Sequence, residues 1–348
     1  MNATFGNRLV SARKQAGLSQ DELVARLGGL VQKTAIAKYE RGEMLPRPEV
    51  AEKLAEALSQ PLDFFYSPVS VTLHNEEFRS NAAMGVKTEE KLKYTIISKV
   101  ERYLELEKLT HASPVFKSPV EGMYISTNQD VEEAAIEVRR AWNMGSHPIG
   151  SVMTLLEEQG VRVIDLEPFT KDFEGYSAYT NSGVPIVVVN AGATTERRRF
   201  TALHELAHLL FKFDKSLTKK EKERMCHWFA GAMLIPRDVF FETWGQYRTR
   251  FAPLELHLAK DKYGISAYAF IMRAYNLGIL PNAYLTGMRN YVLTDPLEMH
   301  IGSNTSTDLP MRFDQLMLRA LYEGYITLNK GAALAELSLD LFIKHYTQ

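Results

Sequence analysis

Residues 201–211, TALHELAHLLF, place two histidines four apart with a glutamate directly after the first. On a helix His204 and His208 lie about 40° apart around the axis and point the same way, with Glu205 on the flank. Two neutral imidazoles can share one metal ion in that arrangement, and the carboxylate beside them can take a proton from water. The same pentapeptide also suits a buried helix whose histidines are satisfied by hydrogen bonds. What separates the two is a third protein ligand, which a catalytic zinc needs along with one open position. The next helical stretch, LTKKEKERMCHWFAGAMLIP, offers Glu223 and His227 at i, i+4 on one face. Glu223 is the expected third ligand. His227 then orients a ligand or approaches the substrate, and the rival assignment puts His227 itself on the metal. Cys226 reads as a packed core thiol.

The elements that must hold these residues are legible nearby. Thr194 or Thr195 can cap the first helix, and Glu196 suits its first turn. Thr218 and Glu221 have capping-box spacing at the start of the second helix, and Pro236 stops it. Leu203, Leu206 and Leu210, then Met225, Phe229, Ala232 and Met233, form the faces that must pack. Upstream, GYSAYTNSGVPIVVVN reads as two strands around an Asn-Ser-Gly turn. Tyr176 and Tyr179 are either half-buried strand residues or hydroxyls available to a tetrahedral oxyanion. The run VPIVVV is a core strand or an edge strand that can pair with a substrate peptide.

Residues 1–66 have a different texture. Phe5, Leu9 and Ala12 mark one helix, and Gly17 ends it. Ser19 and Glu22 form a capping box for a second helix, which Gly28 and Gly29 break. A short polar helix from about Gln32 to Tyr39 follows, then an amphipathic one carrying Val50, Leu54, Ala57 and Leu58. A helix, a glycine turn and a short polar helix make a helix-turn-helix. Between the two halves, TEEKLKYTIISKVERYLELEKL is an amphipathic helix with Leu92, Ile96, Val100, Tyr103, Leu104 and Leu106 near one face. It reads as a linker helix or dimer contact. His74 and His111 stand alone on polar backgrounds, and His300 and His345 are expected in solvent.

The whole chain has 348 residues, 45% hydrophobic and 24% charged, with net charge -1 and one cysteine. The balance is that of a soluble protein of two or three domains. It carries no whole-chain basic signature, so DNA contact must be local. A single cysteine suits a reducing cytosol. The start lacks an apolar signal region and no run approaches a membrane span, so a cytoplasmic location is expected.

LSQDEL and AIAKYERGEMLPRPEVAEKLAEAL resemble the Xre/Cro repressor-like family, with a turn, GGLVQKT, slightly longer than the common form. The resemblance implies a lambda repressor-like domain on double-stranded operator DNA, bound as a homodimer on paired half-sites. Gln32, Lys33, Thr34 and Lys38 would face the DNA, with Arg41 on phosphate. GYSAYTNSGVPIVVVN, RRRFTALHELAHLLF and EKERMCHWFAGAMLIP, in that order, resemble the ImmA/IrrE family of metallo-endopeptidases. That implies a zincin-like fold, Zn2+ on His204, His208 and Glu223, and Glu205 as general base. His227 stands where the family often has an Asn or Asp.

The expected fold is α+β and mostly α: residues 1–66 a helix-turn-helix, 67–130 a helical linker, 131–285 the zincin-like domain with a small sheet, and 286–348 a helical extension. The expected function is a DNA-binding regulator fused to a zinc endopeptidase. Its substrate would be a repressor or antitoxin-like protein, in a stress, mobile-element or phage-defence response. The alternative is a regulator or toxin–antitoxin component whose zincin domain serves as sensor or scaffold.

Overall fold

A computed structural model describes residues 2–80, 85–167, 173–281, 284 and 307–347. The chain is α+β and mostly α. Four helices, α1 (Asn2–Gln15), α2 (Gln20–Arg26), α3 (Lys33–Glu40) and α4 (Pro48–Ala57), open it. They close around Phe5, Leu9, Leu23, Ile36, Leu54 and Phe65. Ser19 and Glu22 form the capping box that starts α2, and Gly28 and Gly29, at φ 63° and 74°, end it. Gly6 is required by packing: a Cβ there would meet the carbonyl oxygens of Tyr39 and Glu40 at 2.6 Å, so α1 lies directly on the end of α3.

The sheet has the order β1 (Leu73–Ser80), β4 (Phe173–Thr180), β5 (Pro185–Asn190), β3 (Arg162–Leu166). β3 runs parallel to β5, while β4 is antiparallel to both β5 and β1. Alternation along the strands divides two cores. Val163, Val187 and Val189 face one side, and Ile164, Ile186 and Val188 the other. The first side is covered by α6 (Asn128–Ala141), α7 (Val152–Glu158), α8 (Thr195–Leu210), α9 (Lys219–Leu234), α10 (Arg237–Trp244), α11 (Pro253–Tyr263) and α12 (Ala267–Asn276). A two-residue parallel pair, β2 (Tyr124–Ile125) with β6 (Lys212–Phe213), extends past the end of α8.

One expectation is corrected here, and of the two readings of VPIVVV the structure takes the core strand. Residues 67–130 are more than a linker: they supply β1 and the long helix α5 (Val86–Leu109), whose Leu92, Ile96 and Val100 cover the second face of the sheet. The strand escaped notice because LHNEEFRS has no apolar alternation. VPIVVV, as β5, lies between β4 and β3 and has no edge to offer a peptide.

The tail forms α13 (Arg312–Tyr322), α14 (Leu328–Ala335) and α15 (Leu339–Tyr346), which pack on Tyr103 and Leu106 of α5. Asp308 ties it to the sheet domain, accepting the backbone N–H groups of Val152 and Met153 and meeting the buried Arg199 at 2.7 Å. Most of the loop-rich stretch 290–310, His300 included, lies outside the described residues. His345 is exposed.

Candidate metal centre

Thr194 caps α8 by accepting the N–H of Arg197, and Thr218 with Glu221 forms the capping box of α9. Such caps contribute about 1 kcal/mol each and fix where each helix begins. α9 ends at Ile235, extended at φ -134° ahead of Pro236. Leu203, Leu206, Phe229 and Met233 are fully buried where the two helices meet the core. Glu132 of α6 accepts from both Trp228 and Arg273 and fixes α9 from behind.

This packing brings three side chains together. His204 Nε2 lies 3.1 Å from His208 Nε2 and 3.3 Å from Glu223 Oε2, and His208 Nε2 lies 3.6 Å from Glu223 Oε1. Ligands held tetrahedrally on zinc at about 2.0–2.2 Å stand about 3.3–3.6 Å from one another, which the three separations bracket. The set is two imidazoles and a carboxylate, a donor chemistry suited to zinc. Among the described residues this is the group of three such side chains close enough to hold an ion. His204 is wholly buried, and Glu223 is partly open to solvent. Burial raises the pKa of Glu223, but its contacts with His204 and His208 outweigh that and hold it well below the usual carboxylate range. Burial works against charge on His208; the Glu223 contact and nearby Glu205 and Glu77 overcome it, and its pKa is raised.

Glu205 is fully buried beside the cluster, and its Oε2 accepts the Ser177 hydroxyl at 2.7 Å. The close approach of α8 to β4 depends on Gly175: a Cβ there would fall 2.5 Å from Thr201 Cγ2 and 3.0 Å from Glu205 Oε1. Opposite Ser177 on β1 stands Glu77, and cross-strand partners share a face. Ser177 and Glu77 were not singled out from the sequence. Strand alternation put Ser177 opposite Tyr176 in facing, but nothing local said which face met α8.

His227 is exposed. Its Nδ1 is 2.7 Å from the Glu223 carbonyl, which can only accept, so Nδ1 carries a proton. Its ring centroid lies 4.4 Å from that of His204. It stands beside the donor set rather than in it. Tyr176 is not brought to the cluster: it lies on the α5 side of the sheet and donates its hydroxyl to Glu76 at 2.9 Å. Tyr179 donates to the Leu209 carbonyl at 2.8 Å. Cys226 is buried in the helical core.

On the N-terminal unit, Gln32, Lys33, Thr34, Lys38 and Arg41 are all exposed on or beside α3. Lys33 pairs with Asp21 at 2.6 Å and Arg41 with Glu43 at 2.6 Å. No helix among the described residues is long and apolar enough to cross a membrane.

Two family models match the chain: a helix-turn-helix over residues 9–65 and an IrrE N-terminal-like domain of the M78 peptidases over residues 156–275. The second span contains β4, α8 and α9, and so all three donors; β1 and α5 precede it. No curated protein and no solved structure matches. The matches and the fold agree: an Xre-like helix-turn-helix is joined to an ImmA/IrrE-type peptidase domain.

Proposed function

We propose that this fusion of a helix-turn-helix with an ImmA/IrrE-type domain is a DNA-binding regulator with a zinc-dependent endopeptidase in the same chain. The observation that carries the reading is the spacing of three donor side chains on α8 and α9 near tetrahedral-ligand separations, with Glu205 held beside them. His204, His208 and Glu223 would hold the ion, and the side of Glu223 open to solvent leaves room for a fourth position. A divalent cation bound there supplies Lewis acidity, lowering the pKa of water and polarising a carbonyl. Glu205 takes the proton from the attacking water and delivers it to the leaving amine. Ser177 fixes one oxygen of that carboxylate and so sets its direction. His227, exposed beside the cluster, orients a ligand or approaches the substrate.

The substrate is a protein, of repressor or antitoxin type, whose cleavage switches genes in a stress, mobile-element or phage-defence response. The N-terminal unit binds double-stranded operator DNA as a homodimer, with Gln32, Lys33, Thr34 and Lys38 facing the DNA and Arg41 on phosphate. The site and the DNA-binding surface both point to the cytoplasm. The deciding experiment compares Glu205→Gln with the wild type: zinc content is expected to be unchanged while cleavage of a candidate repressor encoded next door is lost. If Glu205→Gln switches the target promoter as the wild type does, the peptidase reading fails and the domain is a sensor or scaffold.

A further inference from the structure

Two neighbouring carboxylates on β1, Glu76 and Glu77, meet opposite fates, and the cause is one extra residue. Between the pairs His74–Tyr179 and Glu77–Ser177, β1 advances three residues while β4 advances two, the count of a β-bulge. Asn75 sits in this stretch at φ 53°, a left-handed conformation that Asn tolerates better than most side chains. The extra residue resets the alternation of the strand. Leu73 faces the α5 side of the sheet, so unbroken alternation would send Glu77 there and Glu76 toward α8. Instead Glu76 is on the α5 side, where it accepts from Tyr176 at 2.9 Å and pairs with Lys93 at 2.5 Å. Glu77 turns to the face of Ser177, the residue that meets Glu205. Bulges recur next to active sites because they re-aim a side chain in this way.

With Glu205 and Glu223, Glu77 makes a third carboxylate on this side of the sheet. The other two are engaged: Glu223 lies on His204 and His208, and Glu205 accepts from Ser177. Glu77 is partly exposed and its charge is felt at His208, yet it makes no ion pair with that ring. Among the described residues its carboxylate has no ion-pair or hydrogen-bond partner. A carboxylate partly shielded from water and beside like charges gains most from a cation. β1 also precedes the span that the peptidase family model matches, so this carboxylate is set by the chain's own added strand.

We propose that Glu77 is a specificity-determining residue, a role that rests on the peptidase reading: it receives the ammonium or guanidinium group of a lysine or arginine in the polypeptide substrate.

The test uses the full chain loaded with zinc and carrying Glu205→Gln, so that probes are bound without being consumed. The probes are three pools of fluorescein-labelled nonapeptides, randomised among Ala, Ser, Leu and Phe and differing only in a fixed central Lys, Met or Glu. Fluorescence anisotropy is expected to show the Lys pool binding about fivefold tighter than the Met pool, and the Glu pool weakest. Glu77→Gln, which keeps the shape and removes the charge, should bring the Lys and Met pools within about twofold of each other with zinc content unchanged. Glu77→Lys should reverse the order and favour the Glu pool. Equal binding of the three pools before Glu77 is changed, or a Lys preference that survives both substitutions, would overturn the proposal. Loss of zinc in Glu77→Gln with the preference intact would overturn it too, and make Glu77 a support for His208. Hydrolysis of the pools by the chain with Glu205 intact reads the peptidase separately. Cleavage with no Lys preference leaves the peptidase standing and sinks the role of Glu77; Lys-selective binding with no cleavage keeps the contact and sinks the peptidase.

Discussion

Helices α3 and α8 carry the same kind of signal, polar side chains at helical spacing on a short helix, and they end in opposite environments. Around α3 every candidate side chain faces water, and Lys33 and Arg41 are neutralised by neighbouring carboxylates. Exposed pairs of that kind contribute about 0–1 kcal/mol, so a phosphate can replace the carboxylate at little cost. Around α8, α9 and β4 enclose the polar groups, and His204 and Glu205 have no exposed surface. The difference lies in the second element. A polar helix face becomes a reactive site where another helix supplies the complementary donor and a strand closes the flank.

The comparison can be broken at its strongest point first. His204→Ala is expected to lower bound zinc from about one ion per chain to a trace, measured by elemental analysis after dialysis, because two donors hold zinc poorly. Retention of full zinc would mean that α8 is a structural helix like α3. Glu205→Gln is expected to leave zinc content unchanged and reduce peptide hydrolysis by about 10²–10⁴-fold. Ser177→Ala should cost about tenfold in kcat with metal content intact, since it loosens the base without removing it. On the other helix, Lys38→Ala should weaken DNA binding by about tenfold or less, across sequences alike, and reduce the salt slope by about 1. A loss confined to one operator sequence would make α3 a base-reading helix at that position and sharpen the contrast.

The smallest effect concerns the contact between α7 and the tail, where the carboxylate of Glu157 is buried. Burial pushes Glu157 up to about 7 despite the backbone N–H groups of Met311 and Arg312 that it accepts. Its ordinary value is 4.5, so between pH 4.5 and about 7 the folded chain holds the proton more tightly than the unfolded one. Stability is therefore expected to fall as pH rises through that window and to level above it. Melting temperatures across pH 4.5–8 check this, and Glu157→Gln should flatten the slope.

The residues proposed to carry the chemistry are legible because they follow local rules. His204, Glu205 and His208 share one helix, Glu223 lies one capping box into the next, and both helices start and stop where their caps and Pro236 dictate. The contacts that complete the site run between distant segments and leave no local trace. Ser177 reaches Glu205 from a strand whose facing depends on where α8 packs, and the same alternation turns Tyr176 away. β1 is not legible because LHNEEFRS lacks the apolar alternation that marks a half-buried strand. Asp308 caps α7 from more than a hundred residues downstream, a pairing that only the folded chain reveals.

β4, whose Ser177 meets Glu205, has its outer edge paired along residues 73–80 by β1. An extended peptide seeking main-chain hydrogen bonds next to the zincin cluster would therefore meet a competitor that is covalently attached and permanently close at hand. Tethering gives that competitor an effective concentration of the order of millimolar, so a visitor must outbid it through side chains. Selectivity among cellular proteins would then follow from displacement of a resident strand, before any bond is cut.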